Sequence, residues 1–249
     1  MTTRQPLTVE GLVLSNRELG EADRLAMILT GPQGKLVCRV RGARKPKSKL
    51  RASTEPAMYI RCQIAEGRSM HTLTQVEVLD AFSGLRRDWR KTFLALLVLE
   101  VVEALCLKGQ PNELSFELVL RGLKRLETTQ WPVQLVQSLL MALLSEWGAE
   151  PSLHYCPVCG EPVVGESYFS PRAGGLACKA CAQAKGARRF RSPEFTSYFQ
   201  GLLERQEEVE VSDEVLLEAH KALHRWLQHY LDKELPGFLV VERSQVIRN

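Results

Sequence analysis

Aromatic residues are scarce at the start of this chain: the first 80 residues hold one, Tyr59. Binders that stack unpaired bases place several aromatics on one face, so little stacking is expected from this region. Long apolar runs are missing too. The longest, Phe93 to Leu99, has seven residues, too few to cross a bilayer. Met1 to Pro6 is polar and lacks the apolar stretch of a secretory leader. The expected compartment is the cytoplasm, with no membrane partner.

Catalytic signatures are missing as well. The chain has no G-x-x-x-x-G-K-[ST] phosphate loop, no G-x-S-x-G elbow and no G-x-G-x-x-G after a strand. None of its five histidines begins H-x-E, and no C-x-x-C follows a proline, which excludes the zinc deaminase pattern. His220 and His224 stand four apart on one helix face, but no H-E-x-x-H accompanies them. They read as solvated or capping side chains. No enzyme is expected.

Acidic residues are absent from one stretch, Lys35 to Arg51. It carries eight cations: Lys35, Arg39, Arg41, Arg44, Lys45, Lys47, Lys49 and Arg51. Leu36, Cys38 and Val40 alternate with Val37, Arg39 and Arg41, which reads as a strand with two arginines on one face. Gly42 to Lys49 mixes Gly, Pro and Ser with cations and reads as a loop. A strand and loop of this kind can follow a phosphate backbone. Residues 1–80 hold 13 Lys/Arg against 8 Asp/Glu, and residues 81–249 hold 20 against 21. An anionic partner should therefore dock on the N-terminal part. With few aromatics, binding should rest on phosphates, with weak sequence preference and strong salt dependence. Arg86, Arg87, Arg90 and Lys91, then Arg188, Arg189 and Arg191, are candidates to extend the track.

Five strands are expected over residues 7–80: Leu7–Leu19, Asp23–Thr30, Lys35–Arg41, Met58–Glu66 and Thr72–Leu79. They suggest a small five-stranded barrel of the OB type. Trp89, Phe93, Leu96, Leu97 and Glu100–Cys106 fit a helix ending near Gly109. Asn112 is a candidate cap for a helix over Glu113–Glu127. Pro132 opens another, ending near Trp147. Ser192-Pro193 opens a fourth helix, to about Arg205. Ser212 opens a fifth, which Pro236-Gly237 ends. The fold expected is α+β: an OB-type domain over 1–80, a helical domain over 81–150 and 188–249, and an inserted cysteine-rich segment over 151–187.

Cys156-Pro-Val-Cys159 and Cys178-Lys-Ala-Cys181 are separated by 18 residues. Two C-x2-C knuckles at this spacing mark a zinc site. Four thiolates close a tetrahedral shell and leave no place for a water, so one structural Zn2+ is expected. Gly160, Gly174 and Gly175 supply tight turns around it. His154 could replace a ligand, but four cysteines already suffice. Cys38, Cys62 and Cys106 fall on apolar faces and read as core thiols. Three rival readings remain: an RNA- or ribosome-associated barrel and zinc-ribbon protein, a zinc hydrolase, and a scaffold whose basic stretch meets an acidic protein.

Gly20-Glu21-Ala22-Asp23-Arg24, Gly34-Lys35-Leu36, Arg41-Gly42-Ala43-Arg44-Lys45 with Ser48, Leu50 and Arg51, and Leu73-Thr74-Gln75 resemble the N-terminal domain of the bacterial recombination mediator family RecO. The four-cysteine segment, with Tyr168-Phe169-Ser170-Pro171 and Gly174-Gly175 between its knuckles, resembles the family's zinc-bearing members. The resemblance implies an OB-fold, a helical domain and a zinc ribbon. It implies binding of single- and double-stranded DNA, annealing of complementary strands, and a place at the nucleoid. It also implies partnership with RecR and contact with the single-stranded-DNA-binding protein, so that RecA is loaded on gapped DNA. Lys35, Arg39, Arg41, Arg44, Lys45 and Arg51 fall on the family's DNA-binding face, and the four cysteines on its zinc ligands. The segment after Leu235 departs from the family's pattern.

Overall fold

Alternating side chains close residues 7–80 into a barrel. A computed structural model of the chain describes residues 6–67, 70–164, 168–182, 188–189 (backbone alone), 194–206 and 209–247. Two compact units result, 1–128 and 129–249.

In the first unit, β1 (Leu7–Leu19), β2 (Asp23–Thr30), β3 (Gly34–Val40), β4 (Tyr59–Ala65) and β5 (His71–Asp80) join in the closed order β1-β2-β3-β5-β4. Neighbours run antiparallel except β3 and β5. This is the five-stranded OB arrangement. Leu36, Cys38 and Val40 from β3 meet Ile60, Cys62 and Ile64 from β4 in the core. Each fully buried Leu or Ile contributes about 1.5–3 kcal/mol. β1 serves two neighbours: Leu7–Leu12 pair with β4 and Leu12–Leu19 with β2, and a bulge between Val13 and Ser15 bends it.

β5 pairs with β3 only from Cys38 to Val40. The first half of β3 is covered by residues 108–112 instead. The Gly109 N–H donates to the Lys35 carbonyl at 3.1 Å, and that of Asn112 to Gly31 at 2.9 Å. Lys35 and Lys108 form a parallel bridge. Gly34 permits the approach: its φ is 62°, and a Cβ there would lie 1.7 Å from the Gln110 carbonyl oxygen.

Among the described residues this unit also holds the helices α1 (Lys49–Ser53), α2 (Ser83–Arg87), α3 (Trp89–Leu105) and α4 (Glu113–Thr128). α1 and α2 are too short to show an apolar period. α3 starts afresh because the Asp88 carboxylate accepts from the N–H groups of Arg90 (2.9 Å) and Lys91 (3.3 Å). It ends at Leu105, short of Gly109, where Cys106 turns extended toward β3. Asn112 caps α4, as its position implied, by accepting from the Ser115 N–H at 3.1 Å.

The second unit holds α5 (Pro132–Glu146), β6 (Tyr168–Ser170), β7 (Gly175–Ala177), α6 (Lys179–Ala182), β8 (Arg188–Arg189), α7 (Phe195–Gly201), α8 (Asp213–Leu231) and α9 (Pro236–Arg243). α5 lies on α8, where the Gln137 amide donates to the Leu216 carbonyl (2.8 Å) and accepts from the Tyr198 hydroxyl (2.7 Å). The strands form a small sheet in the order β7-β6-β8. Phe169 fastens it to the helices by packing on Phe199 and Trp226, with ring centroids 5.6 and 6.1 Å away. The proposed opener Ser192-Pro193 lies outside the described residues. Pro236-Gly237 does not end the fifth helix, which stops at Leu231 with Asp232 left-handed at φ 46°. Pro236 instead begins α9, because a first-turn residue has no use for the N–H that proline lacks.

Candidate nucleic-acid interface and metal centre

β3 points its outward side chains along one wall of the barrel and delivers the chain into the basic loop. Asp23, at the start of β2, fixes the point of delivery. Its carboxylate accepts from the Arg39 Nε at 2.6 Å and from the Gly42 N–H at 2.7 Å. The Gly42 N–H first, and the Arg39 guanidinium second, hold Asp23 below the usual carboxylate range. The Arg44 N–H then donates to the Ala22 carbonyl at 2.9 Å, and turns at Gly42–Lys45 and Lys45–Ser48 carry the chain into α1. On the far side, Arg24 pairs with Glu55 at 2.7 Å. The loop is therefore tied down at both ends.

The eight cations divide into two groups. Lys35 Nζ donates to the Glu103 carbonyl, Arg39 pairs with Asp23 at 2.5 Å, and Arg44 meets Glu18 at 3.0 Å and the Gly20 carbonyl at 2.5 Å. These three shape the fold. Arg41, Lys45, Lys47, Lys49 and Arg51 are exposed, and their side chains make no hydrogen bond or salt bridge among the described residues. The wall made by β1, β4 and β5 differs. There Arg61 sits between Glu10 (2.8 Å) and Glu77 (3.0 Å), and the Tyr59 hydroxyl donates to Glu10 at 2.5 Å. That tyrosine hydrogen bond, then Arg61, lowers the Glu10 pKa. Open positive charge thus gathers at the loop and α1.

The proposed extensions fare unevenly. Arg86 donates to the Pro56 carbonyl at 3.1 Å, and Lys91 to that of Glu127 at 2.9 Å. Arg90 lies over the Trp89 ring at 5.6 Å, and Arg87 is exposed. Arg188 and Arg189 are described as backbone only, and Arg191 lies outside the described residues. The organising roles of Asp23 and Glu55 were not anticipated. Only the barrel register, which sets Leu25 against Arg39, brings Asp23 beside its partners.

In the second unit the sulfurs of Cys156, Cys159, Cys178 and Cys181 all lie within 4.8 Å of one another, and those of Cys159 and Cys178 are 3.8 Å apart. The four can hold a metal ion. The Gly160 N–H closes the first knuckle onto the Cys156 carbonyl at 2.8 Å, with Gly160 at φ 77°. Cys178 accepts from the N–H groups of Cys181 (3.1 Å) and Ala182 (3.0 Å) to form the second. Gly175 is required where the chain passes Ser152, since a Cβ would lie 2.0 Å from that carbonyl oxygen. Burial opposes ionisation of Cys156, but the backbone of Cys178, Cys159 and Val158 pulls its thiol down to about 6. Cys181 is pushed up to about 12, first by Cys178 and then by burial. Crowded thiolates repel, and a cation relieves that repulsion. Burial raises the core thiols Cys38 to about 12 and Cys62 to about 11, as befits packing residues.

His220 and His224 are not solvated, and neither belongs to a group of three or more metal donors among the described residues; His224 Nδ1 lies 3.7 Å from a Glu242 carboxylate oxygen. Both are buried under α9. His220 Nε2 lies 3.0 Å from the Phe238 carbonyl, and the His224 ring stacks on Phe238. The sequence places them on a helix face but does not reveal that a further helix covers it.

Residues 3–82 match the family pattern described as Recombination protein O N terminal, and residues 86–237 match Recombination protein O C terminal. The chain belongs to the RecO family. It is 32% identical to the DNA repair protein RecO of Symbiobacterium thermophilum over 246 residues, 95% of this chain and 97% of that one. It is 30% identical to the protein of the same name from Acetivibrio thermocellus, covering 91% of this chain and 92% of that one. In RecO terms, the first match takes in the barrel with its basic loop, and the second takes in the cysteine cluster. No helix among the described residues is long and apolar enough to cross a membrane.

Proposed function

We propose that this chain is a DNA repair and recombination mediator that binds DNA through the open cations of its barrel and performs no covalent chemistry. The observation that carries the reading is the pinned loop. Among the described residues, Arg41, Lys45, Lys47, Lys49 and Arg51 form no salt bridge, and they stand on a segment anchored by Asp23 and Glu55. Two complementary strands repel each other. A cationic surface that holds both screens the repulsion within the roughly 8 Å reach of charge at physiological salt and raises their local concentration. Base pairing then drives annealing. Membership of the RecO family supports the further steps: cooperation with RecR, contact with the single-stranded-DNA-binding protein, and RecA loading on DNA coated by that binding protein.

The metal would be Zn2+, held by Cys156, Cys159, Cys178 and Cys181. Tetrahedral Zn–S bonds of about 2.3 Å set sulfurs about 3.8 Å apart, and Cys159 and Cys178 stand at 3.8 Å. When bound, it braces the ribbon and offers no open position to a substrate.

The test is strand annealing by a variant with Arg41→Glu, Lys45→Glu and Lys47→Glu. Lys35, Arg39 and Arg44 are left alone because they hold the fold together. Annealing and DNA affinity should collapse while thermal stability and metal content hold. Undiminished annealing would overturn the reading, and a strong preference for RNA of equal length would redirect it to RNA.

A further inference from the structure

The barrel has no ready platform for a base. Its one aromatic, Tyr59, is engaged with Glu10 and packs near Phe116, with ring centroids 6.2 Å apart. The same compact unit carries a better one at the first turn of α3. Trp89 is 51% exposed there. Tryptophan is among the residues most buried on average, so an indole left this open needs a reason.

The ring is held in place. Phe93 meets it in a T-shaped contact, with centroids 5.9 Å apart and planes at 80°. The Arg90 guanidinium lies over it, 5.6 Å from the centroid. The chain around it is cationic: Arg86, Arg87, Arg90 and Lys91 surround a single acid, Asp88, whose carboxylate is occupied in capping α3. Arg87 is exposed and makes no hydrogen bond or salt bridge among the described residues. Finally, Arg86 donates to the Pro56 carbonyl. That bond fastens this corner to the segment that leaves α1, at the end of the basic loop.

We propose that Trp89 is a stacking platform for one unpaired base of a strand whose phosphates lie on the basic loop, with Arg87 taking a neighbouring phosphate. The proposal rests on the DNA-binding reading above and adds to it a means of telling single strands from duplex. Phosphate contacts alone are common to both. A planar π-face flanked by cations is how single-strand binders hold bases without reading their identity. A protein partner fits less well, because the flat exposed ring stands among positive charges that would sooner meet phosphates than an apolar side chain.

The experiment compares binding of a labelled 30-mer oligothymidylate and a 30-base-pair duplex to the full chain, to Trp89→Ala and to Trp89→Phe. Losing one stacked base should weaken oligothymidylate binding by roughly 5- to 100-fold, leave duplex affinity nearly unchanged, and be partly restored by phenylalanine. Indole emission should be quenched by oligothymidylate in the native chain, and that quenching should fall in Trp89→Phe. Equal affinity of Trp89→Ala and the native chain for the single strand, or equal losses on both ligands, overturns the proposal. The charge-reversed loop variant separates the two readings. If it still binds DNA, the loop reading fails whatever Trp89 does. If it fails to bind while Trp89→Ala binds normally, only the stacking platform is lost.

Discussion

The Arg39 guanidinium does not face solvent freely: its Nε lies 2.6 Å from an Asp23 carboxylate oxygen. The other oxygen of Asp23 receives the Gly42 N–H at 2.7 Å. One carboxylate therefore fixes both the last outward arginine of β3 and the first residue of the basic loop.

Asp23→Asn should loosen that loop. Trypsin cuts after Lys and Arg, so cleavage between Arg41 and Arg51 should accelerate several-fold while the barrel's far-ultraviolet signal holds. The same bond gives a pH signature. The Asp23 pKa is lowered in the folded chain by Gly42 and Arg39, so its contribution is present above the ordinary carboxylate value, about 3.9, and is lost as pH falls below it. Loop protection in the native chain should decline below about pH 4, and the Asn variant should lack that step.

Salt dependence should separate open from tied cations. With about 4–6 phosphates neutralised, the slope of log K against log salt should be roughly −3 to −5. Replacing Arg41, Lys45 and Lys47 by Ala should make it shallower by about 2–3. Arg61→Ala, which removes a cation already shared between Glu10 and Glu77, should leave the slope unchanged.

Metal removal should act on the second unit. Cys178→Ser, or a strong chelator, should abolish metal binding and expose residues 152–182 to proteolysis. Trp226 packs on Phe169 of the ribbon, so its emission should shift. DNA affinity should stay close to that of the native chain, since the open cations all belong to the first unit.

His220 gives a pH response at the other end of the chain. Burial, opposed by its bond to the Phe238 carbonyl, lowers its pKa to about 4. The unfolded chain takes up a proton below about 6.5 and the folded chain only near 4, so stability falls as pH drops through that window. Between pH 7 and pH 5 the cost should be about 2 kcal/mol, read as a lower urea midpoint. His220→Gln should flatten the response.

The barrel was legible because β3 and β4 alternate cleanly: Leu36, Cys38 and Val40, and Ile60, Cys62 and Ile64, all turn inward. The cysteine cluster was legible because two-residue gaps leave little geometric choice. Charge was harder. Arg39 and Arg41 look alike in the sequence, and only the packing of β2 on β3 gives one of them a carboxylate. Trp89 read as one more apolar residue at helical spacing, because periodicity cannot say that Asp88 would start α3 there and leave the indole outside. α9 was hidden because Pro236-Gly237 suits a stop as well as a start.

The stitching of residues 108–112 onto β3 decides where the N-terminal piece can be separated from the rest. A truncation after residue 82, where the first family pattern ends, would strip the backbone of Gly31 and Lys35 of its covering partners. The bared half-strand would offer a docking edge to other copies and invite aggregation. A soluble fragment should be cut after residue 128, so that the barrel keeps the segment that seals it.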